Sequence, residues 1–395
     1  MARVLLCKQI FDGEQLLVDH AVVLEGQRIA AVLPASDAPT SDAAIDYGDC
    51  LLAPGFIDLQ VNGGGGVLFN AAPDVATLRT IADAHRTYGT TGFLPTLISD
   101  RPEVMRNAID AVAQAMAEGV PGVLGIHLEG PCLNPARAGV HEAQRFQRAD
   151  DATLQLLCSL AGGKTLVTLA PEVVGKEAIT QLRDAGLVVC AGHSEADYEQ
   201  TRQALAAGLQ GFTHLFNAMP PLLSRAPGMV GAAIEDDASW FGIIADGHHV
   251  HPATLKIAVR AKCRGGALLV TDAMPTVGAV DASFELAGER ISAVDGRLAT
   301  ADGTLAGAHL DMLTAVHNVA EFADLDWFEA LRMASVYPAR ALGLDHELGA
   351  VRAGLRASLL VLDAGHRVVD TWVDGERYGP ANGSSNGSTS VPTSA

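Results

Sequence analysis

Three side chains able to ligate a metal stand at the ends of three different apolar runs. Glu129 closes "GVLGIHLEG", His193 closes "LVVCAGHS" and His214 lies in "GFTHLFN". One carboxylate and two neutral imidazoles suit a catalytic zinc site, with three protein ligands and an open position for water. Such a metal lowers the pKa of bound water from about 15.7 toward about 7. Either histidine alone reads more simply as a core residue satisfying a buried hydrogen bond. It is their joint position at strand ends that favours the metal. Asp272 closes a further run, "ALLVTDAM". There it could take a proton from metal-bound water and return it to a leaving group. Taken alone it could equally cap the next segment.

These residues can cooperate only if the fold gathers the strand ends. The middle of the chain alternates in a way that does so. Strand-like runs are "APGFIDLQV", "GFLPTLI", "GVLGIHLEG", "TLVTLAPE", "LVVCAGHS", "GFTHLFN", "FGIIADGHH" and "ALLVTDAM". Helical patterns separate several of them, among them "PDVATLRTIADAHRTYG" and "RPEVMRNAIDAVAQAMAEG". Eight strands with intervening helices predict an α/β fold, a (β/α)₈ TIM-type barrel. Gln60, Glu129, Glu172, His193, His214, His249 and Asp272 fall at C-terminal strand ends, where active sites of this fold lie.

The two ends of the chain read differently. Residues 1–52 show short strands punctuated by Gly13, Gly26 and Pro34, and "ASLLVLDAGHRVVDTWVDGERY" repeats that pattern near the C-terminus. The expected organisation is a small β domain built from 1–52 and 346–380, a barrel over 53–345 with an insertion near 280–308, and a disordered tail at 381–395. The tail, "GPANGSSNGSTSVPTSA", has no apolar period.

With 395 residues, 49% of them hydrophobic, the chain can build a large core. Its net charge of −19 gives no general reason to bind nucleic acid or an anionic membrane. An anionic substrate would need local Arg, Lys or His. No apolar run is long enough to span a bilayer, and "MARVLLCKQIFDGEQ" does not read as a signal peptide, so a cytoplasmic location is expected. The six cysteines form no CxxC pair and read as free thiols.

Seven stretches together carry a resemblance: "APGFIDLQVNGGGGVLFN", "HLEGPCLNPARAGVHE", "AGHSEA", "THLFNAMPPLLSRAPGMVGAA", "ADGHHV", "LVTDAM" and "DGTLAGA". Their wording and order resemble the N-acetylglucosamine-6-phosphate deacetylases of the amidohydrolase superfamily, over nearly the whole chain. The resemblance implies a (β/α)₈ barrel with a small β-sandwich domain, a homodimer, and hydrolysis of N-acetylglucosamine 6-phosphate in amino-sugar catabolism or cell-wall recycling. It makes Glu129, His193 and His214 the ligands of one divalent metal per subunit, Zn²⁺ first and Fe²⁺, Co²⁺ or Mn²⁺ as alternatives. It makes Asp272 the general base and then the acid. Val140, His141, Asn217, Ala218, His249, Leu305, Ala306 and Gly307 should contact substrate. Arg225 should meet the phosphate, in its own or the neighbouring subunit's site.

Members with a second metal carry His-x-His at the end of the first strand, where this chain has Gln60-Val61-Asn62. Amide side chains are poor zinc ligands. The site therefore reads as mononuclear, with Gln60 contacting the bound water or shaping the pocket. The loop "LAGA" followed by His309 departs from the family's usual "LAGS", and His248 beside His249 is a second departure. Nothing in the sequence separates this substrate from N-acetylgalactosamine 6-phosphate or another N-acyl amino sugar. An inactive metal-binding regulatory homologue is the alternative of a different class.

Overall fold

The structure, a computed structural model, describes residues 2–379 except Ala43 and Ala287. The tail at 381–395 lies outside the described residues. Eight parallel strands follow one another around a barrel: Phe56–Val61, Thr90–Ile98, Gly125–Glu129, Lys164–Leu169, Val188–Ala191, Gly211–Phe212, Trp240–Ile243 and Ala267–Leu269. Each pairs in parallel with the next, the first pair with register shifts around Ile57 and between Asp58 and Val61. The ring closes at its seam through the Asp272 amide, which donates to Gln60 O at 3.0 Å, and a bridge between Val61 and Ala273. The residues that close the barrel are thus the ones expected to do chemistry.

The strands are buried along nearly their whole length, as sheets covered by helices require, which is why they read as continuous apolar runs. Helices expected from periodicity form at Val75–Arg86, Pro102–Ala117, Pro171–Asp184, Tyr198–Ala207 and Pro252–Ala261. Their starts are chemically marked. Asp74 accepts from the Thr77 amide, and Asp197 and Gln200 form a reciprocal capping box. Two helices gave little sequence signal, Asp151–Leu157 and Gly228–Glu235. Both are short, and the second has Gly228 and Gly231 where a helix former would have shown the pattern.

A second eight-stranded sheet joins the chain ends. Strands Arg3–Phe11, Leu16–Glu25, Arg28–Pro34, Ala44–Asp46 and Leu51–Pro54 pair into it with Leu359–Leu362, Val368–Val373 and Glu376–Tyr378. The period of two divides its side chains between two cores. Leu52, Leu359, Val361 and Trp372 pack with Leu5, Val22 and Ile29 inside the small domain. Leu51, Ala53, Leu360 and Leu362 face the barrel. The apolar run "APGFIDLQV" is therefore two strands, divided at Gly55. A Cβ there would stand 2.2 Å from the Thr91 side chain, so only glycine lets the chain pass from one sheet to the other.

After the last barrel strand, Ser283–Leu286, Glu289–Val294 and Arg297–Ala299 form an antiparallel meander. Its inner face, Ile291 and Leu298, packs with Met274 and Ala306 next to the barrel mouth.

Candidate active site

Glu129 ends the third barrel strand, and His193 and His214 follow the fifth and sixth. Glu129 Oε1 lies 3.1 Å from His193 Nε2 and 2.9 Å from His214 Nε2, and the two Nε2 atoms are 3.1 Å apart. These separations are close to the edge of a tetrahedron of donors about 2.0–2.1 Å from a central ion. His193 Nδ1 donates to Arg137 O at 2.8 Å. A backbone carbonyl can only accept, so the proton sits on Nδ1 and Nε2 presents its lone pair to the cluster. Two imidazole nitrogens and a carboxylate oxygen converging at this range are a donor set for a cation, and the three residues fit a divalent metal. Both histidines hold left-handed backbone, φ 50° at His193 and 32° at His214. Such strain, on the order of 1–3 kcal/mol per residue, collects where side chains must be aimed.

Asp272, φ 52°, faces this cluster from the barrel seam. Its Oδ1 accepts from Asn62 Nδ2 at 2.6 Å and Gln60 Nε2 at 3.0 Å. The same Gln60 amide group lies 3.3 Å from Glu129 Oε1. Gln60 thus ties Asp272 to Glu129. Burial and the neighbouring Glu129 charge raise the Asp272 carboxyl to about 6, opposed by His214 and His249. Asp58, two residues before Gln60 on the first barrel strand, is fully buried and raised to about 7 by desolvation, and its carboxylate accepts from the Thr271 hydroxyl.

His141 is buried beside the triad, its Nε2 3.9 Å from Glu129 Oε2. Its Nδ1 accepts from the Ser99 amide at 3.3 Å, so Nε2 carries the proton. Burial pushes its pKa down to about 3, which keeps the ring neutral. His249 Nδ1 donates to Asp246 Oδ2 at 2.6 Å, and Asp246 Oδ1 also accepts from the amides of His248 and His249.

These groups line a cavity of about 350 Å³ at the C-terminal mouth of the barrel. Val140, His141, Asn217, Ala218, His249, Leu305 and Gly307 line it together with the three ligands and Asp272. Ala306 does not line it. It is buried in the core of the meander, its amide donating to Leu298 O. Gly307, φ 66°, brings its backbone so close that a Cβ would meet Met274 and Asp272 O, and Ala308 N donates to Asp272 O at 2.9 Å. Arg225 lies elsewhere in the chain, on an exposed groove with Glu195, Tyr198 and Leu223. His309 bonds Thr276 away from the cavity, and His248 is exposed.

Several working residues escaped sequence reasoning. Asp246 was signalled only by its spacing of three before His249, and Ser99 by nothing local. From sequence Asn62 reads only as a poor ligand, yet it holds Asp272 and lines the cavity.

The amidohydrolase family matches residues 51–380, and the NagA composite domain matches residues 5–47. An N-acetylgalactosamine-6-phosphate deacetylase of Shewanella is 43% identical over 82% of this chain and 82% of its own. An N-acetylglucosamine-6-phosphate deacetylase of Haemophilus influenzae is 35% identical over 93% and 97%. The crystal structure of N-acetylglucosamine-6-phosphate deacetylase from Pasteurella multocida superposes with a TM-score of 0.92 at 34% identity, covering 96% of this chain and all of that one. With its ligand cluster, its carboxylate at the barrel seam and these relatives, the chain belongs to the amidohydrolase family.

Proposed function

We propose that this protein hydrolyses the acetamide of N-acetyl-D-glucosamine 6-phosphate to D-glucosamine 6-phosphate and acetate. The observation that carries this reading is Asp272, held by two amides against the Glu129, His193 and His214 cluster at the end of a cavity large enough for one sugar. Relatives named as deacetylases of such sugar phosphates support the substrate class.

Glu129, His193 and His214 would hold one divalent ion, Zn²⁺ in our reading, with Fe²⁺, Co²⁺ or Mn²⁺ as alternatives. When bound, the ion supplies Lewis acidity and makes water acidic enough to ionise near neutral pH. Asn62 and Gln60 converge on Asp272 Oδ1, which leaves Oδ2 to take the proton of the attacking water. Asp272 then gives that proton to the departing nitrogen. Neutral His141 offers an N–H donor, and His249, anchored by Asp246, stands where it can hydrogen-bond the acetyl oxygen or sugar. Val140, Asn217, Ala218, Leu305 and Gly307 shape the sugar site. The working unit in this reading is a cytoplasmic homodimer, with Arg225 reaching the phosphate in the partner's site.

The Shewanella relative favours a second reading, the C4 epimer N-acetylgalactosamine 6-phosphate. Acetate release from both epimers, with and without phosphate, tests both. A kcat/KM at least 10-fold higher for the gluco compound supports the first reading, and the reverse order supports the second. No release from any of the four sugars would sink the deacetylase reading.

A further inference from the structure

The proposed substrate carries a phosphate, yet the cavity holds two carboxylates and few cationic side chains to receive it. Glu129 and Asp272 line it, and among the described residues Arg137 is its one Lys or Arg side chain. Arg137 sits in the short turn Pro135–Arg137 between the third and fourth strands. Its backbone carbonyl receives His193 Nδ1 at 2.8 Å, which fixes the residue beside the ligand cluster. Its guanidinium is about one third exposed and bonds the carboxylate of Glu195, itself 43% exposed. Glu195 also lines the groove that holds Arg225.

We propose that Arg137 is a phosphate-binding residue of its own subunit's site, and that Glu195 holds its place until substrate arrives. A guanidinium binds phosphate through two parallel N–H donors, which a lysine cannot copy. An exposed Arg–carboxylate pair is weak, so a nearly dianionic phosphate can displace it. The exchange keeps the cation oriented while the site is empty. The inference rests on the reading that the substrate is phosphorylated.

The test compares kcat/KM for N-acetylglucosamine 6-phosphate with that for N-acetylglucosamine in each variant, with bound metal measured alongside. In Arg137→Met the ratio of the two falls by about 10-fold or more, mainly through KM of the phosphorylated sugar. Arg137→Lys falls less, because charge remains without the fork. Glu195→Gln moves the other way and lowers that KM, by up to about 5-fold, since the competing carboxylate is gone. A residue that only braces the loop would not give opposite signs for the two partners. An unchanged ratio in both Arg137→Met and Glu195→Gln, with the wild type strongly preferring the phosphorylated sugar, overturns the role of Arg137 alone. A wild-type ratio near one sinks the phosphorylated-substrate reading itself, and this proposal with it.

Discussion

Asn62 Nδ2 lies 2.6 Å from Asp272 Oδ1, and Gln60 Nε2 reaches the same oxygen at 3.0 Å. Two neutral donors on one oxygen fix the rotamer of the carboxylate and, in the proposed mechanism, leave its other oxygen for proton traffic. They also stabilise the charged form, against a burial that lifts the carboxyl to about 6.

Asp272→Asn tests that assignment. The substitution keeps shape, and the amide oxygen can take the place of Oδ1 and its two donors. No metal ligand is lost, so metal content and substrate binding should stay near wild type. Turnover should fall by roughly 10²-fold or more, the usual effect of removing a general acid–base group. Near-normal kcat in a metal-loaded variant would remove Asp272 from the chemistry.

Metal stoichiometry is the second test. Gln60 and Asn62 occupy the positions that a second ion would need; Gln60 spends its amide donors on Asp272 and Glu129, and Asn62 donates to Asp272. One tightly held equivalent per chain is expected by elemental analysis after dialysis. Two retained equivalents, both required for turnover, would contradict a mononuclear site. Replacing both residues by histidine should weaken the hold on Asp272 even if it recruits a second ion.

The barrel was legible because its strands are buried on both faces and end in chemistry-bearing side chains. The ligand set and Asp272 could be read for the same reason, since each closes an apolar run. What stayed hidden depends on contacts between distant segments. Ser99 sets the tautomer of His141 across 42 positions. Asp246 is visible only once His249 is known to turn back toward it. Ala306 reads as part of a substrate loop, but the meander pairing sends its side chain into a separate small core. The division at Gly55 was invisible to an apolar count, because both halves of the run are equally buried.

Asp58 sets a pH dependence of stability. Its folded pKa is about 7, against 3.8 as the ordinary value, with desolvation as the cause. The folded state therefore binds the proton more tightly than the unfolded chain. Its contribution to stability is fully present below about pH 4 and is lost as pH rises through about 7. Asp58→Asn should remove this slope, on the order of 2 kcal/mol between about pH 5 and 8. The Thr271 hydroxyl can accommodate the change by donating to Gln60 O, 3.3 Å away. Denaturation midpoints for both proteins across that range check it. Parallel profiles would show that Asp58 does not titrate there.

Arg225 gives the last test, because in a single chain it lies outside the cavity. It is exposed on a groove with Pro220, Leu223 and Pro227, and Leu222 and Leu223 beside it are 54% and 58% exposed. A loop that shows two large aliphatic side chains and a cation to solvent suits contact with a second copy. If it serves the partner's phosphate, Arg225→Ala should raise KM for N-acetylglucosamine 6-phosphate by about 10-fold or more, as loss of a charge-assisted contact does. Hydrolysis of the unphosphorylated sugar should change little by comparison. Mixing Arg225→Ala chains with Asp272→Asn chains then separates the two placements. A heterodimer has one site with an intact Asp272 that receives Arg225 from its partner, so random mixing should restore roughly a quarter of wild-type activity. If heterodimers form and activity stays at the level of the parents, Arg225 acts within its own subunit. If both sugars lose activity equally in the single variant, Arg225 supports the loop or the assembly, and the phosphate is left to Arg137.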